Sequence, residues 1–397
     1  MRGIILGIAV MMCSSSSADT ARPWEIPTSE TTNTAAAGSI GVKSTMVEVS
    51  TRGLLDAEAL EFVLPDNSAR IAYRSDAEHR GIDAGWWTGR IQGEKPGFVS
   101  LTVRGDDLVG SIWIGREVYR VSQSRDGGHI LEHLDTDAFP DCAGALPGGE
   151  SPTGMIRHLR KRGATVVIDV LAVYTPEARD DRGGTVGMQL WAQAAVDETN
   201  LAFSNSEMDA RFRLVHIAEV DYHDTGSSSA DLSWVAGDST VAALRNKYGA
   251  DLVGLFVADF DACGRGYLPG SFQVTQNSCA VGYLSYAHEH GHNMGFAHNP
   301  EDASVGPVRP YGYGHRYPGN YRTVLSYNCS PSCGRVPYFS NPDVDYSSLP
   351  TGIADARDNA RAGDDEDSSV AAKRPSVTVL WDGFESGDPS RWSSMTP

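Results

Sequence analysis

Three histidines and one glutamate near residue 290 have the spacing of a metal site. The stretch from His288 to His298 reads H-E-x-x-H-x-x-G-x-x-H with every position filled. On a helix, His288 and His292 are one turn apart and face the same side, so both imidazoles reach one metal ion. Gly295 can take a positive φ and end the helix, which brings His298 back to the same point. Three neutral nitrogen ligands with an open fourth position are typical of a catalytic Zn²⁺ rather than a structural one.

Two further residues of the motif have different predicted roles. Glu289 lies beside the ligands and is predicted to be the general base, taking a proton from a water molecule at the metal. His290 is two residues from each helical ligand, so the helix turns it to another face, where we expect a solvated side chain. The alternative is a helix with incidental histidines, and the length of the motif argues against it.

The motif resembles that of the metzincin clan of zinc endopeptidases. The resemblance implies that His288, His292 and His298 bind zinc and that Glu289 is the base. Within the clan, the region from about Val167 to Ala362 is similar to the bacterial peptidyl-Asp metalloendopeptidases. The residues that carry this similarity are Val173-Tyr174-Thr175-Pro176, Gly291-His292-Asn293-Met294-Gly295, Tyr311-Gly312-Tyr313-Gly314-His315 and Tyr338-Phe339-Ser340-Asn341-Pro342.

The stretch from Thr323 to Tyr327 resembles the Met-turn that forms an apolar floor beneath the zinc of metzincins. Leu325 stands where the clan has methionine, and leucine nearly conserves the volume of that side chain. Astacins and serralysins place a mobile tyrosine two residues later. The resemblance therefore implies that Tyr327 stabilises the transition state, and a core tyrosine with a satisfied hydroxyl is the alternative.

The peptidyl-Asp group cleaves on the amino side of aspartate, which implies a basic residue in the pocket for that side chain. We predict Arg335, which comes just after the stretch 323–327, for this substrate-binding role, with Arg322 next. The chain carries a net charge of −18, so it would not attract acidic substrates by itself, and a local positive pocket is required.

The residues around the motif are predicted to form an α/β domain of the metzincin type at 163–362. Apolar runs predict buried strands, and i, i+4 apolar spacing or capping residues predict the helices between them. This alternation favours a mainly parallel sheet with right-handed crossovers, a zinc-binding helix at 284–294, and an antiparallel edge strand within 267–283. The predicted strands are 165–173, 212–220 and 251–258, and the predicted helices are 185–203 and 238–248.

The segment 19–162 is predicted to be a β-rich prodomain, because short alternating runs are separated by turn residues. Cys142 lies just before a Gly/Pro-rich linker and resembles the cysteine that blocks the zinc of latent metzincins. A stray thiol or an intermolecular disulfide is the alternative. The basic cluster 157–162 is either a processing site or a solvated linker.

The first 18 residues have the features of a signal peptide: Arg2, a short apolar run, and small residues before Asp19. We therefore expect a secreted protein, or a periplasmic one in a Gram-negative host. Lipid attachment at Cys13 is the alternative, and the large residues Met11 and Met12 before it argue against it. Four of the six cysteines lie near the motif, and nearness favours two disulfides, although sequence alone allows three pairings. The expected disulfides are Cys263–Cys279 and Cys329–Cys333.

The net charge of −18 argues against nucleic acid as a partner, and no stretch has the length and apolar character of a membrane span. We expect a monomer acting on protein or peptide substrates. The segment 363–397 is predicted to be an acidic solvated linker and a short tail of no derivable role.

The sequence thus predicts a zinc-dependent endopeptidase. Two other functions stay open: a binding or adhesion protein whose protease fold has lost catalysis, and a zinc hydrolase acting on a non-peptide amide.

Overall fold

The computed structural model describes residues 20–27, 41–124, 127–148 and 164–377. The predicted signal peptide 1–18, the basic cluster 157–162 and the end of the tail, 378–397, lie outside these residues. Across the described residues the chain folds around two large sheets, one N-terminal and one that packs against the helix of the histidine motif.

The N-terminal sheet has ten strands within the described part of the chain, in the order β1-β4-β5-β6-β7-β8-β9-β10-β3-β2. From β4 to β10 each strand pairs antiparallel with the next. The strands are β1 Thr20–Ala21, β2 Trp24–Glu25, β3 Gly41–Val49, β4 Ala59–Val63, β5 Ala69–His79, β6 Ala84–Ile91, β7 Gly97–Arg104, β8 Asp107–Ile114, β9 Glu117–Gln123 and β10 His129–Leu134.

The central strands of this sheet are buried on both faces, because each face packs against its own core. In β7, Val99, Leu101 and Val103 pack among the apolar residues of the N-terminal sheet itself. Phe98 points to the other face and belongs to the core of the second sheet. Successive side chains of a strand alternate between faces, so one strand contributes to two cores.

The second sheet has six strands among the described residues, in the order β11-β15-β16-β14-β12-β13. All neighbouring pairs are parallel except β15 with β16, which is antiparallel. The strands are β11 Leu146–Pro147, β12 Val166–Tyr174, β13 Ala210–Glu219, β14 Leu252–Val257, β15 Gly264–Leu268 and β16 Phe272–Gln276. The antiparallel strand expected within 267–283 thus begins at Gly264, and most of 267–283 forms β16 and a short helix instead.

Seven helices occur in the part of the chain that the structure describes: α1 Pro176–Asp181, α2 Thr185–Asn205, α3 Ser228–Gly237, α4 Ser239–Tyr248, α5 Asn277–Ala280, α6 Ser285–Asn293 and α7 Asn359–Val370. α4 begins after Asp238, whose side chain accepts from the Val241 amide, and ends at Gly249 in the left-handed conformation, as the sequence predicts. α6 carries the first two histidines of the motif.

The expectation of an acidic solvated linker from residue 363 is wrong for residues 363–370, which belong to α7. Gly363, Glu366 and Asp367 are buried in this helix, and Arg309 forms an ion pair with Glu366. An amphipathic helix buries one face whatever its net charge, and a run of acidic residues hides that periodicity.

The remainder of the C-terminal region folds as loops and five short strands. These strands are β17 Arg316–Tyr317, β18 Tyr321–Arg322, β19 Gly334–Arg335, β20 Asp345–Tyr346 and β21 Leu349–Pro350. Both predicted disulfides, Cys263–Cys279 and Cys329–Cys333, are present, and Cys142 is a free, buried cysteine. None of the helices in the described ranges has the length and apolar character needed to cross a membrane.

The two sheets share one apolar core. Trp86, Phe98 and Trp113 from the N-terminal sheet pack in the same cluster as Trp191 and the rest of α2. Polar contacts cross the same boundary: the Arg80 guanidinium donates to both carboxylate oxygens of Asp197 at 2.8 and 2.6 Å.

Candidate metal centre

The helix α6 is placed by contacts on several sides. It packs against β15 and β16 on one side and against α2 on another. Gly291 packs closely against the turn 323–327, here called the floor turn, because a Cβ there would lie 2.8 Å from Leu325 Cδ2. Gly295 ends the helical segment with a φ of +97°, as the sequence predicts, and the chain turns back at this point. The glycines therefore bring α6, the floor turn and the returning chain into contact.

The three histidines of the motif converge on one point. The Nε2 atom of His298 lies 3.1 Å from Nε2 of His288 and 3.0 Å from Nε2 of His292. Two backbone carbonyls fix the helical rings: His288 Nδ1 donates to Val324 O at 2.7 Å, and His292 Nδ1 donates to Phe296 O at 2.8 Å. With each Nδ1 proton held by a carbonyl, the neutral ring directs the lone pair of Nε2 inward.

This arrangement fits a metal ion. Lone pairs that face one another at about 3 Å repel, and a cation between them turns the repulsion into three coordinate bonds. The rings are buried, and burial lowers the pKa of His292 to about 4 and that of His288 and His298 well below the ordinary value. Neutral imidazole is the form that binds metal, so the environment favours ligation.

Glu289 is buried directly beside the histidines. Its Oε1 lies 4.0 Å from His288 Nε2, and in the described part of the chain no N–H or O–H group donates to either carboxylate oxygen. The Cys142 thiol is the polar group that interacts with this carboxyl. Burial raises its pKa to about 8. A buried carboxyl without N–H or O–H donors is costly, and such groups occur where a protein requires their reactivity. Space for it comes from Gly264 of β15, where a Cβ would lie 2.5 Å from Glu289 Cγ.

The expectation that His290 is solvated is wrong. The ring is buried, Nδ1 lies 3.1 Å from Asn293 Oδ1, and Nε2 lies 3.3 Å from Gln273 Nε2. The rings of Tyr286 and Phe212 contact it edge-on. The expectation assumed that one face of the helix meets water, whereas α6 is enclosed by the sheet, α2 and the C-terminal loops.

Cys142 joins the histidine cluster. The thiol and the three imidazoles offer ligand atoms that all lie within 4.8 Å of one another. Cys142 Sγ is 3.8 Å from His292 Nε2, and the Gly144 amide donates to the sulfur at 3.3 Å. Burial raises the pKa of the thiol, so this environment by itself favours the protonated form. The chain thus brings a fourth candidate ligand, 150 residues away in sequence, to the point where the three rings meet.

Tyr327 lies against the same cluster. Its ring centroid is 4.1 Å from that of His298, and its hydroxyl donates to Cys142 O at 2.9 Å. The Tyr327 amide donates to Asn299 Oδ1 at 3.1 Å, which ties the tyrosine to the loop after the third histidine. Leu325, two residues earlier, is fully buried beneath α6. The sequence did not point to Asn299, since it lies outside the motif.

Arg322 and Arg335 are both buried around the ring of Tyr283. Arg335 lies over this ring at 4.4 Å and donates to Tyr283 O at 3.1 Å. Arg322 donates to the Tyr283 hydroxyl at 2.6 Å and to Ser326 O at 2.9 Å. The positive charge of Arg335 contributes, after burial and neighbouring histidines, to the low pKa of His288. We define these two arginines with Tyr283 as the arginine pocket. No motif singled out Tyr283 beforehand.

The chain resembles known metallopeptidases. Residues 164–340 match the model of Reprolysin_5, described as metallo-peptidase family M12. The chain is 32% identical over 312 residues to a peptidyl-Asp metalloendopeptidase of Xanthomonas campestris pv. campestris, and the alignment covers 74% of each chain. It is 32% identical over 305 residues to one of Stenotrophomonas maltophilia, covering 71% of this chain and 72% of that one.

A solved structure, metalloproteinase-II from Bacteroides fragilis, overlaps 60% of this chain and 81% of its own with 11% identity and a TM-score of 0.33. That likeness is too distant to support an inference. The matched family and the two bacterial relatives agree with the histidine cluster and its buried glutamate. The chain is therefore a zinc metalloendopeptidase that belongs to metallo-peptidase family M12, in the group of the peptidyl-Asp metalloendopeptidases.

Proposed function

We propose that the chain is exported as a latent precursor and hydrolyses internal peptide bonds with Glu289 as general base, preferring bonds on the amino side of aspartate. The observation that carries the proposal is the buried carboxylate of Glu289, to which no N–H or O–H group of the described residues donates, beside three converging imidazoles. Export is supported by the signal-like first 18 residues and by two disulfides, which persist in oxidising compartments.

His288, His292 and His298 would hold zinc, which supplies a Lewis acid that polarises the scissile carbonyl and acidifies water. Glu289 accepts the proton of the attacking water and passes it to the leaving amine. Its raised pKa fits a group that must hold a proton between these two events. Burial of the whole cluster excludes bulk water and strengthens each electrostatic interaction within it.

Tyr327 is proposed to stabilise the negative charge that develops on the substrate oxygen. Its hydroxyl already donates to a carbonyl, that of Cys142, at 2.9 Å. A donor that is aimed at a carbonyl near the ligands is placed to serve a substrate carbonyl once Cys142 has moved away.

Cys142 is proposed to keep the precursor latent. Its sulfur lies within the cluster of three imidazoles, where a thiolate would fill the fourth position of the zinc. We expect Cys142→Ser in the full chain to raise hydrolysis of a peptide substrate at least tenfold, because an alcohol binds zinc far more weakly than a thiolate. Equal activity of this variant and the wild type would contradict latency through Cys142.

Glu289→Gln tests the proposed mechanism. The amide has the same shape but accepts no proton, so we expect zinc content to stay near one ion per chain while peptide hydrolysis falls at least a thousandfold. The control is Glu207→Gln, which changes an exposed glutamate in the turn after α2. Hydrolysis at a comparable rate by the Glu289→Gln variant would overturn the assignment.

A peptide library analysed by mass spectrometry tests the aspartate preference and the two rival functions together. Products that begin with aspartate support the preference. Cleavage without selectivity refutes the preference alone. A zinc-loaded chain that cleaves no peptide, with or without Cys142, would favour a binding protein or a hydrolase of non-peptide amides.

A further inference from the structure

We propose that Asp141 is a built-in mimic of the acidic side chain of the substrate: it occupies the mouth of the arginine pocket, and the same pocket selects aspartate next to the scissile bond. This inference rests on the proposed function. It assigns Arg322 and Arg335 to the subsite for the substrate's aspartate, which Asp141 of the same chain fills in this structure.

The arginine pocket has more positive charge than the chain neutralises. Arg322 and Arg335 are 1% and 3% exposed. Asp141 is the one carboxylate within 4.0 Å of either guanidinium in the described ranges, with Oδ1 at 3.6 Å from Arg322 Nη1. Two buried cations beside one another are costly unless an anion compensates them. The pocket therefore has the electrostatic character of an anion site.

Buried N–H groups without acceptors also indicate an anion site. The Nε atoms of Arg322 and Arg335 are buried and have no hydrogen-bond partner among the residues that the structure describes. Nη1 and Nη2 of Arg322 donate to Ser326 O and the Tyr283 hydroxyl, and Nη1 of Arg335 donates to Tyr283 O and Ser285 Oγ, so the fork of each guanidinium is only partly satisfied. Buried donors without partners mark a place where a ligand completes the network, and a carboxylate is the group that arginine pairs with best.

The chain on either side of Asp141 lies across the centre as a bound peptide would. The Cys263 amide donates to Asp141 O at 3.3 Å, and the Ala143 amide donates to Gly264 O at 2.9 Å. The Arg265 guanidinium donates to Ala143 O. Main-chain hydrogen bonds to the edge of a sheet are a common mode of peptide recognition, with side-chain pockets adding specificity.

Side chains of this segment fill successive positions. Phe139 stacks on Tyr283 with ring centroids 4.3 Å apart, Asp141 faces Arg322, and Cys142 faces the histidines. The acidic side chain therefore lies one residue from the group at the metal centre. That is the spacing of a substrate with aspartate beside the scissile bond.

The direction of the segment explains why it is not itself a substrate. Asp141 precedes the residue at the histidines, whereas in a bond cleaved on the amino side of aspartate the acidic residue follows the reacting carbonyl. β11, a few residues further on, runs parallel to β15. The segment therefore lies in the opposite chain direction to the substrate, with the same type of side chain in the same pocket.

Kinetics of the full chain test the inference. Cys142→Ser provides a background without the thiol, in which Asp141 still lies beside Arg322 at the mouth of the arginine pocket. In this background we expect Asp141→Asn to lower KM about fivefold with kcat unchanged, because the variant weakens a group of the chain that competes with substrate for the pocket. The effect is modest because the ion pair of Asp141 with Arg322 is partly exposed. The control is Asp135→Asn in the same background, which alters an exposed aspartate of the same stretch and should leave KM unchanged.

A second experiment tests whether the pocket that binds Asp141 is also the pocket that selects aspartate in the substrate. Two peptides that differ only by Asp or Asn after the scissile bond give the selectivity as a ratio of kcat/KM. Arg322→Gln should lower this ratio at least tenfold, and Asp141→Asn should then have no further effect on KM. Arg322→Lys keeps the charge without the planar fork and should give an intermediate ratio.

An unchanged KM for Asp141→Asn overturns the inference, as does an altered KM in Arg322→Gln with an unchanged Asp-to-Asn ratio. Failure of the proposed function gives a different result, since the Cys142→Ser background would then cleave neither peptide. If Arg322→Gln does not fold, the KM of Asp141→Asn and the Asp-to-Asn ratio of Arg322→Lys still test the inference.

Discussion

Glu198 is expected to make the free energy of unfolding fall as pH rises, and the substitution Glu198→Gln should remove this dependence. It lies on α2, buried, and accepts from Ser111 Oγ of the N-terminal sheet at 2.5 Å and from the Gly282 amide, before α6, at 2.7 Å. Burial raises its pKa to about 8. The folded chain therefore keeps a proton on Glu198 that the unfolded chain releases above about pH 4.5.

The sign and size of the effect follow from linkage. Where the folded state binds more protons, the free energy of unfolding falls as pH rises, here between about 4.5 and 8, and is flat above. A rise of the Glu198 pKa from its ordinary value to about 8 is equivalent to at most about 5 kcal/mol, since a tenfold change in proton affinity is worth about 1.4 kcal/mol. Glu198→Gln keeps an acceptor for the Gly282 amide and a donor for Ser111 but cannot ionise.

The assay is urea unfolding of the full chain at pH 5, 6.5 and 8. We expect the variant to be equal to the wild type near pH 5 and more stable by about 2–5 kcal/mol at pH 8. Glu207→Gln, at an exposed position just after the same helix, should show no such divergence. Parallel pH profiles of the wild type and Glu198→Gln would refute the reasoning.

Two other substitutions probe features of the same core. Arg80→Ala removes the cation that pairs with the buried carboxylate of Asp197, leaving it hydrogen bonds from Thr102 and Gln193, and should cost about 2–4 kcal/mol in urea unfolding. Arg104→Ala removes an exposed contact between β7 and the same helix and should cost under about 1 kcal/mol; similar losses for both would contradict the argument. Gly264→Ala places a Cβ against Glu289, the proposed general base, and should reduce peptide hydrolysis at least tenfold with zinc retained. Gly237→Ala, whose Cβ would meet open space, is its control, and loss of activity in both would point to a general defect.

The parts of the site that were predictable have local causes. The positions of His288 and His292 follow from helical geometry, and the turn at Gly295 follows from the freedom of glycine at positive φ. The approach of Cys142 to these residues was expected only through the family resemblance. Its path from the N-terminal side depends on hydrogen bonds to β15 that no spacing encodes.

The parts that were not predictable depend on packing between distant segments. His290 was expected to be solvated because helical periodicity defines faces but does not reveal whether a face meets water. Tyr283 gathers Arg322 and Arg335 from positions 39 and 52 residues away, and no local pattern indicates such a meeting. The sequence does not reveal that residues 363–370 are helical, because the many acidic residues obscure the helical spacing of the buried positions.

The apolar cluster common to both sheets should hold the N-terminal part on the rest of the protein after the chain is cleaved between them. Trp86, Phe98 and Trp113 would lose their cover if the N-terminal part departed, and so would the face of α2 beneath them. Burial of three large aromatic side chains holds the parts together without a covalent link, by several kcal/mol. A protein clipped between residues 148 and 164 should therefore migrate as two bands in denaturing electrophoresis yet elute as one particle from a sizing column.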